Sequence, residues 1–433
     1  MIRSATPAWI RIFTVAAICG GLNVVATAQT EADTLDVLAL LPFCVDADTL
    51  ATGQFPPKVV RLREIAWDHL QGFELAAKQL SESGVHIRLT VQDEMPDSLG
   101  KLPLSNLDIA RTDMVFGPLM REQVGRVAPR VDRFGREHIL LTEQPSRLVE
   151  RGPGIRQAVP SELSMAQRLA REVAARHDTD RVVLVMTQGP DAVLEEAFMA
   201  TYNKTQRSKW QIPLDSLRYA PLDTVHGTTK SVGTLAEWIS PYDRNVVVSV
   251  AGRSARSMWA ALLTEVQMND SSECLIFGHP EVADMPFLEG PLMEKWRLTL
   301  ASSGEVLWSD TAVAPWVNAF WAQSGTDPTK YAVLAHDALI DAVVRRKPAL
   351  RWAVRSLCEP MTWTQLDSAG AWHNDSWRME RFEGWQWIPV DSAEALQPFV
   401  PHPFYDPEGM LIPIPSDVLV RYPELVHAPI EQE

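Results

Sequence analysis

The run Leu35-Asp36-Val37-Leu38-Ala39-Leu40-Leu41-Pro42-Phe43 decides how this chain folds. Its nearly unbroken aliphatic character predicts a strand buried on both faces, and Pro42 marks its end. A second run of the same shape follows, Asp113-Met114-Val115-Phe116-Gly117-Pro118-Leu119. Between them Leu62–Ser83 repeats apolar residues at helical spacing (Ile65, Leu70, Phe73, Leu75 to Ala77, Leu80), with Gly84 as its stop. Two buried parallel strands ending in Gly or Pro loops define the carboxyl rim of a doubly wound sheet. That rim is where such sheets bind ligands.

The pattern extends outward from these two strands. Further strands are expected at Ile87–Val91, His138–Leu141, Arg181–Met186, Asn245–Val250 and Cys274–Phe277. Helical patterns cover Ser161–Arg176, Ser254–Met268, Pro315–Gln323 and Pro328–Arg346. This alternation predicts an α/β fold with parallel sheets and helices on both faces. It comes in two blocks, the first over 35–150 and the second restarting at Arg181 after the Pro/Gly-rich Pro145–Pro160. Residues 361–390 read as a Trp-rich β-meander, and 391–433 as a Pro-rich extended strap.

The first 28 residues read as a cleaved export signal. Arg3 and Arg11 precede or open the apolar run Ile12–Val25, and Ala26-Thr27-Ala28 fits a small-x-small cleavage site. Export to the periplasm, or otherwise out of the cytoplasm, is therefore expected. No later segment has 18 uninterrupted apolar residues, the length that a spanning helix needs. The 433 residues carry a net charge of −15, and loss of Arg3 and Arg11 makes the mature chain more acidic still. That balance disfavours nucleic acid and anionic membrane as partners. The mature length exceeds what one core supports, so two lobes are expected. Cys44, Cys274 and Cys358 remain after cleavage, an odd number with no C-x-x-C spacing, and no disulfide framework is implied.

Strong catalytic motifs are absent: no G-x-S-x-G, H-E-x-x-H, P-loop or G-x-G-x-x-G occurs. Ser98-Leu99-Gly100-Lys101 matches S-x-x-K but sits in a polar loop without companion motifs. His177 lies near Asp178 and Asp180 in what reads as a solvated turn. Neither an enzyme, nor a metal, nor another cofactor is expected. Trp67, Trp238, Trp259, Trp296, Trp316 and Trp321 fall on helical patterns and are read as core. Trp316 and Trp321 are the better candidates for a stacking platform, since they follow the strand-like Val306-Leu307-Trp308.

The segments "LALLPF", "LREIAWDHLQGFELAAKQL", "IRLTVQDE", "DMVFGPLMREQVGRVAP" and "HILLTEQ" resemble the first lobe of type I periplasmic binding proteins, the group of exported branched-chain amino acid receptors. The closer similarity is to a divergent branch of substrate-binding-like proteins in Bacteroidetes-type bacteria, often found beside peptidoglycan-binding modules. "RVVLVMTQGPDAVLEEAF", "NVVVSVAGRSARSMWAALLTEV", "CLIFGHPE" and "YAVLAHDALIDAV" resemble the second lobe and the return to the first. The resemblance covers about 35–390. It implies 35–157 with 280–345 as lobe 1, 158–279 with 346–390 as lobe 2, three crossings, and a cleft between strand ends.

It also implies function. An exported solute-binding protein would capture a small molecule or peptide fragment by hinge closure and pass it to a membrane permease. The alternative is a degenerate receptor acting as a non-catalytic envelope scaffold or regulator of cell-wall synthesis, with an envelope protein as partner. By their positions after the strands, the ligand-binding residues would be Phe43, Cys44, Gly117, Leu119, Arg121, Thr142, Gln144, Gln188, Gly252, Arg253, His279 and Asp337. One departure from the amino-acid receptors stands out. Where they place hydroxyl side chains after the Gly-Pro strand to hold a zwitterion, this chain has Leu119, Met120 and Arg121. Thr142 keeps one hydroxyl in the next loop, and Arg121 could pair a carboxylate.

Overall fold

A computed structural model describes residues 34–45, 55–145, 148, 152–177, 180–187, 191–206, 215–218, 238–239, 244–268, 272–304, 306, 311, 313–365 and 370–390. The expected leader, the strap at 391–433, Gln188, Asp178 and the run Leu307-Trp308 lie outside these residues. The chain begins with β1 (Thr34–Leu41), α1 (Pro57–Glu82), β2 (His86–Asp93), α2 (Asn106–Arg111), β3 (Met114–Phe116), α3 (Arg121–Arg133), β4 (Glu137–Leu140) and β5 (Ile155–Gln157). There follow α4 (Glu162–Arg176), β6 (Arg181–Met186), α5 (Ala192–Gln206), β7 (Asp215–Arg218), β8 (Asn245–Ser249), α6 (Arg256–Met268), β9 (Cys274–Gly278), α7 (Gly290–Lys295) and β10 (Thr299–Ser302). The last elements are α8 (Val313–Ser324), α9 (Lys330–Arg346), β11 (Trp363–Gln365), β12 (Trp372–Asn374), β13 (Arg378–Glu383) and β14 (Gln386–Pro389).

These elements form two compact units. The first runs to Val159 and resumes over Gly304–Asn374, and the second holds Pro160–Ser303 and the chain from Asp375. The sheet of the first unit has the order β11-β12-β5-β4-β3-β1-β2, and that of the second β14-β13-β10-β9-β8-β6-β7. In both, five parallel strands follow the doubly wound order 2-1-3-4-5. The strand order therefore reverses between β1 and β3 in one unit, and between β6 and β8 in the other. Loops leaving the strands at such a reversal splay apart and leave a crevice.

In the first unit α1 and α9 cover one face of the sheet. Ala66, Phe73, Ala76 and Leu80 of α1 are buried at helical spacing against Ala335, Ala338, Leu339 and Ala342 of α9. The two helices approach so closely at Gly72 that an added Cβ would lie 2.1 Å from the Ala332 carbonyl oxygen. On the other face Leu38, Leu40 and Val115 pack against Val127 and Val131 of α3. In the second unit α4 and α5 lie on one face of the sheet through Leu169, Val173, Phe198 and Tyr202. Trp259, Leu262 and Val266 of α6 lie on the other.

Three expectations change. The second crossing comes after Ser303 rather than at 280, because Thr299–Ser302 forms a strand that pairs with β9 and β13 of the second sheet. The third comes after Asn374 rather than at 345. Asp337 accepts the Leu357 and Cys358 amides, and Trp363 bonds Asp341, so 346–374 stays with the first unit. The Trp-rich segment makes two hairpins rather than one meander: β11–β12 extends the first sheet and β13–β14 the second. An ion-pair group fastens the first hairpin. Arg156 and Arg345 both reach Glu137, and both guanidinium groups lie over the Trp363 ring.

Candidate functional site

The reversal point of the first sheet gathers most of the expected residues of that unit. After β1, Pro42 turns the chain and Cys44 takes a positive φ of 53°. Arg63 of α1 holds this turn by donating to the Phe43 and Cys44 carbonyls, at 2.9 and 2.8 Å. The Phe43 ring meets the half-exposed Trp67 edge-on at 5.6 Å. The Cys44 thiol is buried, and burial pushes its pKa up, with Asp93 adding to the effect. It is an inert thiol rather than a nucleophile.

After β3 the chain passes through Gly117, at φ +75°, where an added Cβ would lie 2.3 Å from the Leu40 carbonyl oxygen. No side chain fits there. The Gly117 carbonyl accepts from His138 Nε2 at 2.6 Å, which makes Nε2 the protonated nitrogen of a buried neutral ring. Burial lowers the His138 pKa to about 4. Past Pro118, Leu119 and Met120 lead into α3, and their amides point at one side chain. Leu119 N–H donates to Glu94 Oε2 at 2.5 Å, and Met120 N–H donates to Glu94 Oε1 at 3.0 Å. Glu94, just past the end of β2, is 2% exposed. Burial pushes its carboxyl up to about 8, against the opposing pull of the two amides.

The loop after β4 closes the cluster. Thr142 Oγ1 donates to the Leu119 carbonyl at 3.0 Å and accepts from Gln144 Nε2 at 2.7 Å. The Gln144 amide N–H donates to Gln157 Oε1 of β5 at 2.9 Å. Gln144 is 6% exposed, and its Oε1 has no partner among the described residues. Gly117, Leu119, Thr142 and Gln144 are thus brought together, with Glu94 as the member that sequence reading missed. Arg121 is exposed on the first turn of α3 and makes no hydrogen bond or ion pair among the described residues. Asp337 joins none of them. Its Oδ1 accepts Leu357 N–H at 2.8 Å and faces His336 Nδ1, and its Oδ2 accepts Cys358 N–H at 2.9 Å. The carboxylate is consumed as a clamp on the chain beyond α9.

In the second unit the reversal point gathers Gly252, Arg253 and His279. The Arg253 amide donates to Glu281 Oε2 at 2.8 Å, and its guanidinium reaches Asp284 at 3.4 Å in an exposed pair. An added Cβ at Gly252 would lie 2.8 Å from the same Glu281 oxygen. The His279 ring is buried. It accepts the Glu281 amide on Nδ1 at 3.1 Å and faces Glu162 at 3.7 Å, an interaction that holds the Glu162 carboxyl below its usual range. Beyond β6, Glu195 Oε1 accepts both the amide and the hydroxyl of Thr187. The rim in each unit thus shows one motif: strand-end amides that face carboxyl groups of the chain itself.

Other candidates fall elsewhere. Trp316 is buried, tilted against Phe320 and edge-on to His336, so it offers no platform, while Trp321 is exposed. His177 pairs with Asp180 at 2.7 Å under Arg244. Among the described residues no group of three or more His, Cys, Asp or Glu side chains is placed to hold a metal ion. A cavity of about 20 Å³ beside His177, Arg297 and Arg381 has room for one water molecule. Among the described residues Cys44, Cys274 and Cys358 are buried and form no disulfide. No described helix is long and apolar enough to cross a membrane.

No family model and no curated protein matches the sequence. Solved structures do. A putative branched-chain amino acid ABC transporter from Rhodospirillum rubrum aligns over 82% of this chain and 99% of its own, at 11% identity and a TM-score of 0.54. An ABC transporter substrate-binding protein from Desulfitobacterium hafniense aligns over 82% and 100%, at 15% identity and 0.50. The C-domain of LpoA from Haemophilus influenzae, a regulator of PBP1A, aligns over 82% and 100%, at 12% identity and 0.50. The chain has a type I periplasmic binding protein-like fold, with two parallel-dominated sheets flanked by helices. At these identities the likeness is one of fold, and it reaches solute receptors and a regulator equally.

Proposed function

We infer that the protein is an exported, non-catalytic recognition protein of the cell envelope that acts as a scaffold or regulator, rather than as a receptor for amino acids. One observation carries this reading. The amides of Leu119 and Met120, in the loop where the resemblance places hydroxyl side chains that hold a zwitterion, are taken by Glu94 of the same chain. A receptor leaves such donors free for its solute, because an unpaired buried donor is costly and a ligand's oxygen relieves that cost. Here both donors are already satisfied, and a second carboxylate would meet an acidic side chain. The Arg253 and Thr187 amides repeat the arrangement in the second unit. The partner is then an envelope protein, a role akin to that of the LpoA C-domain, and the export signal read at the N-terminus supplies the compartment.

Solute capture is the second reading. It is favoured by the buried, unpartnered Oε1 of Gln144 and by the exposed Arg121, which together could still hold a polar solute or a peptide fragment. Thermal-shift screening of the mature protein against amino acids, short peptides and muropeptides separates the two. The scaffold reading expects no compound to raise the unfolding midpoint. A compound that raises it, with the gain abolished by Gln144→Leu or Arg121→Ala, establishes the receptor instead.

A further inference from the structure

We propose that Glu94 is a built-in ligand: its side chain plugs a small carboxyl-binding site at the start of α3, and removing that side chain opens the site to a free carboxylic acid. The Met120 amide belongs to the N-cap of α3, a helix of 13 residues, and Leu119 immediately precedes it; neither amide has a partner within the helix. Both are bonded instead to the two oxygens of one carboxyl group, in the two-pronged manner of a bound carboxylate. That group reaches them from a different element, 25 residues earlier in the chain, and is 2% exposed. The backbone around it is fixed independently: the Glu94 amide donates to the Leu41 carbonyl at 3.0 Å. Truncating the side chain at Cβ therefore leaves the donors in place and removes an acetate-sized fragment.

A second observation marks the same place as a binding site. Gln144 lies against the Leu119 carbonyl through Nε2, at 3.5 Å, and its Oε1 is buried without a partner among the described residues. A buried acceptor with nothing to accept is rare in a finished core. It is accounted for if the cluster suits an occupant that carries a hydrogen-bond donor next to its carboxyl group, which the Glu94 methylenes lack. The ligand class is thus a small carboxylic acid with a hydroxyl on the neighbouring carbon. The proposal concerns the plug alone. A solute found elsewhere in the unsubstituted protein would end the scaffold reading and leave this one standing.

The test is chemical rescue of the full mature chain at pH 6. Glu94→Ala should unfold at a lower midpoint than the parent. Acetate at tens of millimolar should raise the midpoint of the variant by several degrees, and glycolate should raise it further. The parent should respond to neither beyond the effect of equimolar chloride. An equal response of parent and variant, or none in the variant, overturns the plug. Glycolate no better than acetate overturns the assignment to Gln144. Should Glu94→Ala not fold, Glu94→Gln keeps the site filled while weakening one of its two bonds. Amide exchange at Leu119 and Met120 should then be faster than in the parent, and unchanged protection overturns the proposal.

Discussion

Replacing Glu94 by Gln should flatten the dependence of stability on pH above neutrality. Glu94 carries its proton in the folded state up to about 8, whereas an exposed Glu releases it near 4.5. Between these values the folded chain holds one more proton than the unfolded chain, so stability falls as pH rises. Two buried histidines act in the opposite sense. His69 and His138 stay neutral when folded down to about 4, against an ordinary value of 6.5, so their contribution to stability grows as pH rises over that interval. The three effects overlap in acid and cancel in part. At pH 6.5 the two histidines are still half protonated in the unfolded chain, and their opposing contribution dies away about one unit higher, so Glu94 is isolated by comparing parent with variant. A pKa difference of one unit is worth about 1.4 kcal/mol, so between pH 6.5 and about 8 the parent should lose about 2 kcal/mol relative to Glu94→Gln. Denaturant unfolding followed by tryptophan fluorescence, at half-unit steps from pH 6 to 8.5, measures it. In Glu94→Gln the loss should give way to the small gain that the histidines supply. If the variant keeps the parent's slope over that interval, the buried carboxyl is not the titrating group and the account of its environment fails.

Other consequences follow from the same contacts. Asp337→Ala leaves two amides and the His336 ring without their acceptor, and should cost about 3 kcal/mol or more. It should also expose Cys358 to a thiol reagent under native conditions, where the parent reacts slowly. Gly72→Ala should destabilise the first unit by about 1 to 3 kcal/mol, although alanine is the better helix former, because its Cβ meets the Ala332 carbonyl. A midpoint at or above that of the parent would contradict the close crossing of α1 and α9. His138→Leu should cost about 1 to 3 kcal/mol by leaving the Gly117 carbonyl unpaired. Calorimetry of the intact protein reads the three stability changes.

Much of the fold was legible because its central strands are runs of Val, Ile and Leu. Val182 to Val185 and Val246 to Val248 cannot lie anywhere but between two helix layers. The strands that escaped are short and chemically mixed. Thr299–Ser302 reads Thr-Leu-Ala-Ser, and Ile155–Gln157 sits in a Pro/Gly-rich stretch. Each becomes a strand because a neighbouring strand offers it a ladder, which no local pattern announces. Missing Thr299–Ser302 displaced the second crossing. The Trp-rich segment split for a similar reason: Trp363 is held by Asp341 and Arg345 of α9 and by Arg156 of β5, partners that no local pattern names.

The site was legible in part. Loop positions after the strands located Gly117, Leu119, Thr142 and Gln144 together, since the doubly wound order forces them onto one rim. Glu94 was hidden because an acid following a strand reads as solvated surface. The one available signal was that β2, which it follows, lies next to β1 at the reversal point. Asp337 misled for the converse reason. An acid on an apolar helix suggests a ligand contact, and only the fold shows two backbone amides already bound to it.

The central claim is that the first-unit rim is occupied by its own carboxyl group and does not capture an amino acid. Isothermal titration of the mature protein with free leucine and with a mixed amino-acid set tests it most directly. The account predicts no binding tighter than about millimolar at neutral pH. Micromolar binding of a free amino acid that is weakened by Thr142→Val or Arg121→Ala would contradict it.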